Sequence, residues 1–178
     1  MAVTLNVISG GLKDAKVKTA NGDEYDIYAV VEASGEGQQD EIEVKGDDQL
    51  LGTFVSNKRE ELTITANGIS FDVLQAITGN SYSSSATGVK IPLGTTSEQN
   101  PPEVEISAFA NALDSDNTAV TLKKTWHKVT LKDVKLSMAG EKEFTVEMTG
   151  VAYYTEEDIE GESLTSGRIA TVEVYSAS

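Results

Sequence analysis

The stretch TAVTLKKTWHKVTLKDVKLSMAGEKEFTVEMTG, residues 118–150, decides how this chain folds. Period-two alternation runs through TAVTLKKTWHKVTL (Thr118 to Leu131) and returns in EFTVEMT, which is the spacing of half-buried β-strands rather than of a helix. In KVTLKDVKLSM the apolar set falls first on Val129 and Leu131 and then on Val134, Leu136 and Met138. A strict period of two cannot hold both sets on one face. One extra residue near Lys132 and Asp133 must be absorbed by a β-bulge, and the strand is expected to bend there. AGEK (Ala139 to Lys142) supplies a glycine turn into the next strand. There Phe144, Val146 and Met148 point to one face, and Glu143, Thr145, Glu147 and Thr149 to the other.

Working outward, the same alternation marks DEYDIYAVVEA (Asp23 to Ala33), DEIEVK (Asp40 to Lys45), ELTITA (Glu61 to Ala66) and EVEISAFA (Glu103 to Ala110). Gly, Asn and Asp stand between several of them, and DSDN (Asp114 to Asn117) is a further turn. This is the vocabulary of a β-sandwich or barrel. One segment reads as helical. In ISFDVLQAITGN, Ser70 can cap the N-terminus, Asp72 suits the positive end of the dipole, and Gly79 can take the left-handed stop. Phe71, Leu74 and Ile77 would form its apolar face, and so short a helix (residues 70–79) needs a sheet to pack on. Asn80 to Pro102 is rich in Ser, Thr, Gly and Pro and reads as a long exposed loop. LLGTFVSNKRE (Leu50 to Glu60) mixes apolar and polar residues without clear strand alternation, as expected of a contact segment ordered by a neighbour.

Composition removes several classes of function. The chain has 178 residues, 39% of them hydrophobic, with no break in composition, so one domain with a real core is expected over 1–178. Its 14 basic against 29 acidic residues give a formal net charge of -15, which argues against gripping nucleic acid or an anionic membrane. Without cysteine there is no disulfide, thiolate metal site or cysteine nucleophile. The start, MAVTLNVISGGLK, is too polar for a signal peptide, and no stretch is long enough to span a membrane, so the protein is expected to be made in the cytoplasm.

The catalytic inventory is thin. The one histidine, His127, follows Trp126 within a strand, where a partly buried structural role is expected. DSDNTA starts like a calcium loop with Asp114 and Asp116 but lacks glycine at its sixth position and glutamate at its twelfth, where Thr125 stands. SGEGQQD (Ser34 to Asp40) has no lysine or helix after it to make a phosphate loop. No pair of carboxylates is singled out for acid and base work, so the expectation is a protein that is not an enzyme and needs no cofactor or metal.

The order of the pieces resembles a known family. GLKDAKV (Gly11 to Val17), DEIEVKGDD (Asp40 to Asp48), REELTITANGISFDVLQAITG (Arg59 to Gly79) and WHKVTLKDVKLSMAGEKEFTVEMTGVAYY (Trp126 to Tyr154) together resemble the major tail tube protein of long, flexible-tailed bacteriophages. The most specific element is a strand beginning Glu-Leu-Thr that runs into a short helix ending Ile-Thr-Gly, followed by a loop and hairpins. The resemblance implies a β-sandwich with one helix that stacks as hexameric rings around a channel, in the virion tail. It also implies tape measure, tail tip and terminator proteins as partners, and DNA only in transit. An extra immunoglobulin-like module seen in some members has no room before Ser178.

If six subunits each contribute four strands, as the resemblance implies, 24 strands at about 4.8 Å spacing and about 40° tilt close a barrel about 48 Å across at the backbone. Side chains then leave about 38 Å, room for a duplex about 20 Å wide. Carboxylates on that lining repel the phosphate backbone and keep the polymer sliding, and six copies of -15 amount to -90 per ring. The channel-facing candidates are Glu41, Glu43, Glu143 and Glu147. Candidates for contacts between rings or subunits are Leu50, Leu51, Phe54, Val55, Tyr82 and Ile91. Two other readings stand beside this one. The first is the inner tube of a contractile tail or of a type VI-like secretion system. The second is a carbohydrate-binding or adhesin module, which would want exposed aromatics on one face, whereas several aromatics here fall at core-like alternating positions.

Overall fold

The alternating segments are strands. A computed structural model describes residues 12–46, 49–92, 101–113, 118–138 and 144–176, for 41–46, 49–56 and 176 the backbone alone. Its strands are β1 (Leu12–Thr19), β2 (Glu24–Ile27), β3 (Val30–Gly46), β4 (Gln49–Ala66), β5 (Ser83–Ser85), β6 (Gly88–Lys90), β7 (Glu103–Leu113), β8 (Ala119–Ser137), β9 (Thr145–Tyr153), β10 (Thr155–Glu157), β11 (Ser163–Arg168) and β12 (Ala170–Ser176). The helix is α1 (Phe71–Thr78). The fold is mostly β with one short helix among the described residues. Eight strands form one antiparallel sheet in the order β2-β1-β7-β8-β9-β4-β3, with β12 paired to β8. β1 also lies against β3, so the two ends of the strand order approach each other.

The long strand β8 organises this sheet. β7 runs along one edge from Ala119 to Thr130, while the opposite edge is shared by β12 from Val120 to Trp126 and by β9 from Val129 to Ser137. The register of β8 on β9 shifts between Leu131 and Asp133, where the change of apolar parity demands it. Gly150 faces that bulge, and a Cβ there would stand 2.8 Å from the Thr130 carbonyl oxygen, so only glycine fits. Inward side chains of these strands, among them Ile64, Ile106, Trp126, Val129, Val146 and Met148, join Val73, Leu74 and Ile77 of α1 in one core.

The helix has the caps its sequence proposes. The Ser70 hydroxyl accepts from the Val73 amide at 3.2 Å, and Gly79 closes the helix at φ 72° while donating to the Gln75 carbonyl at 2.9 Å. Ser70→Ala is expected to cost about 1 kcal/mol, read as a lower urea midpoint with unchanged slope. The apolar face differs from expectation by one position. Val73, Leu74 and Ile77 are buried, whereas Phe71 is 41% exposed with its ring 6.0 Å from that of Tyr82. The first residue of a two-turn helix sits at its open end, and the sheet does not reach under it.

Other boundaries also move. Asp23 to Ala33 is two strands, because Tyr28 and Ala29 turn between β2 and β3, with Ala29 at φ 51°. Leu50 to Glu60 belongs to β4, in its backbone pairing with β3, although its sequence does not alternate cleanly. Backbone pairing in a hairpin needs no apolar face, so the pattern missed it. Asn80 to Pro102 is exposed over most of its described part but contains the β5–β6 hairpin. The proposed turns at 114–117 and 139–142 lie outside the described residues.

Candidate functional site

β3, β4, β9 and β8 are neighbours, and their outward positions align. Glu147 of β9 sits across from Lys135 of β8 on one side and Thr65 of β4 on the other. Thr65 in turn faces Glu32 of β3, Thr63 faces Ser34, and Glu61 faces Glu36. Thr149 is across from Asp133 and from Thr63. The alternate positions of β4 and β9, namely Leu62, Ile64, Ala66, Val146 and Met148, are buried in the core. The result is a four-stranded face of hydroxyls carrying five carboxylates, Glu32, Glu36, Glu61, Asp133 and Glu147. Against them stand Lys135 and, in the next row beyond Glu61, Arg59, which lies 3.4 Å from Asp40. Lys135 lies 3.2 Å from Glu147 and 3.9 Å from Asp133, with all three side chains at least two-fifths exposed, so these pairs leave the face strongly negative.

Glu147 thus stands on the outward face, as the alternation predicts, while Glu143 lies outside the described residues. Phe144 precedes β9 and is a third exposed, so it does not share the burial of Val146 and Met148. It lines an open apolar groove of about 510 Å³ with Ile69, Phe71, Leu74, Val89, Ile91 and Leu136. Ile91 is half-buried against the core there. Tyr82 is exposed, its hydroxyl donating to Asp72 at 3.4 Å.

Glu41, Glu43, Leu50, Phe54 and Val55 lie in the distal part of the β3–β4 hairpin. There Glu41 is across from Val55, Ile42 from Phe54, Glu43 from Thr53 and Lys45 from Leu50, with Leu51 at the register shift. Their side chains lie outside the described residues. β4 pairs with β9 only from Arg59 to Ala66, so the distal hairpin is a two-stranded ribbon with no other strand beside it among the described residues. At its root the register shifts between Gln38 and Asp40, and Asn57 has φ 50°. The Asn57 amide donates to Asp40 at 2.9 Å and Arg59 lies 3.4 Å away, which together hold the Asp40 carboxyl below its ordinary range.

A second polar cluster lies on the opposite stretch of β8. His127 is buried, as expected, with Nε2 2.7 Å from the Thr171 hydroxyl of β12 and Nδ1 3.4 Å from Glu105 Oε2 of β7, without an aligned hydrogen bond at Nδ1. Burial pushes the Glu105 carboxyl above its ordinary range, against the pull of His127, Lys18 and Lys123. Among the described residues no group of three His, Asp or Glu side chains is placed to hold a metal ion, and no helix is long and apolar enough to cross a membrane.

The aromatic side chains run against expectation. Trp126 is buried, but Tyr28, Tyr82, Tyr153, Tyr154 and Tyr175 are exposed, on four separate segments of the chain. Edge strand β12 was missed altogether by the sequence reading. Its alternation of Ala170, Val172 and Val174 with Thr171, Glu173 and Tyr175 is a strand signal, yet Val172 is 63% and Val174 39% exposed. Compared with known proteins, the sequence matches no family model, and no curated protein matches it.

Proposed function

We propose that this chain is the subunit of a self-assembling tail tube, stacked in hexameric rings, whose four-stranded acidic face lines a channel for DNA. The observation that carries the reading is the face itself: five carboxylates against Lys135 and, at its end, Arg59 across β3, β4, β9 and β8, with hydroxyls between several of them. Such a lining repels phosphate and offers no site where a passing duplex would lodge. Two further features favour assembly. β12 presents an edge strand with exposed valines, and the β3–β4 ribbon extends past the strands that flank its base. Among the described residues both leave a backbone edge without a strand beside it, of the kind that another copy can cover. In this reading DNA is a transient passenger, and the partners are further copies of the chain, a tape measure protein, and tail tip and terminator proteins in a virion. The inner tube of a contractile or secretion machine would use the same face, and co-purification with a sheath protein would distinguish it.

Sedimentation and electron microscopy of the concentrated protein test this directly. Six-fold rings or tubes with a lumen of about 38 Å are expected. A compact monomer at every concentration, with tail initiator proteins present as well as absent, overturns the reading.

A further inference from the structure

β7, β8 and β12 bring three different polar side chains into one line. His127 of β8 is buried, and its Nε2 stands 2.7 Å from the hydroxyl oxygen of the half-buried Thr171 on β12. On the other side of the ring, Nδ1 lies 3.4 Å from Glu105 Oε2 of β7. A hydroxyl, an imidazole and a carboxylate in that order are a nucleophile, its general base and the group that orients the base. The first distance allows proton transfer as it stands. The second is loose, as such pairs often are before a substrate is bound, and no other hydrogen-bond partner competes for Nδ1 among the described residues.

The carboxylate also decides which ring nitrogen holds the proton. Negative charge beside Nδ1 favours the tautomer with hydrogen there, which leaves the lone pair of Nε2 free to take the Thr171 proton. Arg168 of β11 completes the group, its Nη1 donating to the Thr171 oxygen at 3.5 Å. A guanidinium at that place favours negative charge on the attacking oxygen and on a carbonyl oxygen held next to it. The four side chains line an open polar cavity of about 320 Å³ beside the β10–β11 hairpin. Ser163 and Thr165 add hydroxyls to its walls, and Leu164 is its one apolar side chain among the described residues. That volume is at the small end for a ligand site. A short acyl group on a polar alcohol fits it, whereas a fatty chain finds no apolar wall.

We propose that this corner hydrolyses small polar esters, with Thr171 as the nucleophile, His127 as general base and then acid, Arg168 as the oxyanion partner and Glu105 as a positioning residue. The Thr171 oxygen forms a bond to the ester carbonyl carbon as its proton passes to His127 Nε2, and the carbonyl electron pair moves onto the oxygen beside Arg168. When that pair returns, the bond to the alcohol breaks, and the alcohol leaves with the proton from Nε2. Thr171 then carries the acyl group. Water attacks the acyl carbon and gives a proton to Nε2, and that proton goes to the Thr171 oxygen as the carboxylic acid departs. No other reactant is needed. This inference does not depend on the tube reading.

Hydrolysis of p-nitrophenyl acetate by the purified protein, together with labelling by a small fluorophosphonate, tests it. The protein should release p-nitrophenol faster than buffer, and peptide mass spectrometry should place the phosphonate on Thr171. Thr171→Val keeps the shape of the side chain on its edge strand and should lose both signals, while Thr171→Ser should keep both. His127→Gln should lower the rate by about a hundredfold or more, with the circular dichroism spectrum unchanged. Glu105→Gln should lower kcat and leave KM nearly as it was, the mark of a group that positions the base without binding the ester. Equal turnover in the unmodified protein and Thr171→Val, or a phosphonate that leaves Thr171 of the unmodified protein unlabelled, overturns the proposal.

Discussion

If the chain is a tail tube subunit as proposed, tubes built with Glu61→Lys/Glu147→Lys subunits are expected to assemble and then to hold DNA that unmodified tubes would let pass. Glu61 and Glu147 stand on the outward face of β4 and β9, whose inward neighbours Leu62, Val146 and Met148 carry the packing. Changing exposed charges there costs within about 0.5 kcal/mol each, and loss of the half-exposed Glu147–Lys135 pair costs at most about 1 kcal/mol. Folding should survive. The lumen, on the hexameric reading, would change by about four charges per subunit, and each ring would gain about twelve cations facing the duplex. If about six of them met phosphates, binding would fall with salt at a logarithmic slope of about -5. Genome ejection should therefore slow by orders of magnitude at low salt and recover as salt is added. DNA held by the variant tubes should resist nuclease, because it lies inside. Ejection at the wild-type rate in low salt, or retained DNA that nuclease removes, would put these glutamates on the exterior.

Trp126→Ala should produce the largest loss of stability in the sheet. Trp126 is almost fully buried at the centre of β8, where β7 and β12 flank it, and Lys124 lies over its ring at 4.5 Å. Removing so large a core side chain costs about 3–5 kcal/mol, which for a chain of this size lowers the melting temperature by about 6–20 °C. Trp126→Phe should cost much less than its lost volume suggests. The buried indole Nε1 has no hydrogen-bond partner among the described residues, so the smaller ring discards an unsatisfied donor together with the atoms it loses. Thermal and urea unfolding followed by circular dichroism would measure both. Equal losses in the two variants would mean that the indole donor is satisfied in solution.

Much of the fold was legible because it rests on local rules. The change of parity between Leu131 and Val134 required a bulge, since a strand whose side chains alternate has no other way to keep both apolar sets inward. Ser70 and Gly79 marked the helix because a hydroxyl before it and a residue free to take positive φ after it satisfy its loose backbone groups. The outward placement of Glu147 followed from Val146 and Met148 on either side. Phe71 and Phe144 were misjudged for the converse reason. Each belongs to an apolar pattern but sits at the end of its element, where burial depends on whether something else reaches it.

What the sequence by itself determined is therefore periodicity: that the alternating segments are strands, where one bends, where the helix starts and stops, and which side of β9 carries charge. Pairing was decided only in the tertiary structure. That β3 and β4 join β9 and β8 in one acidic face depends on contacts between residues more than eighty positions apart, such as Thr65 with Glu147, and a spacing rule within a strand carries no information about its neighbour. The same holds for Glu105, His127 and Thr171. Each is an unremarkable polar residue in its own strand, and they form a buried pair with a hydroxyl beside it only because β7 and β12 flank β8 on opposite edges at that point.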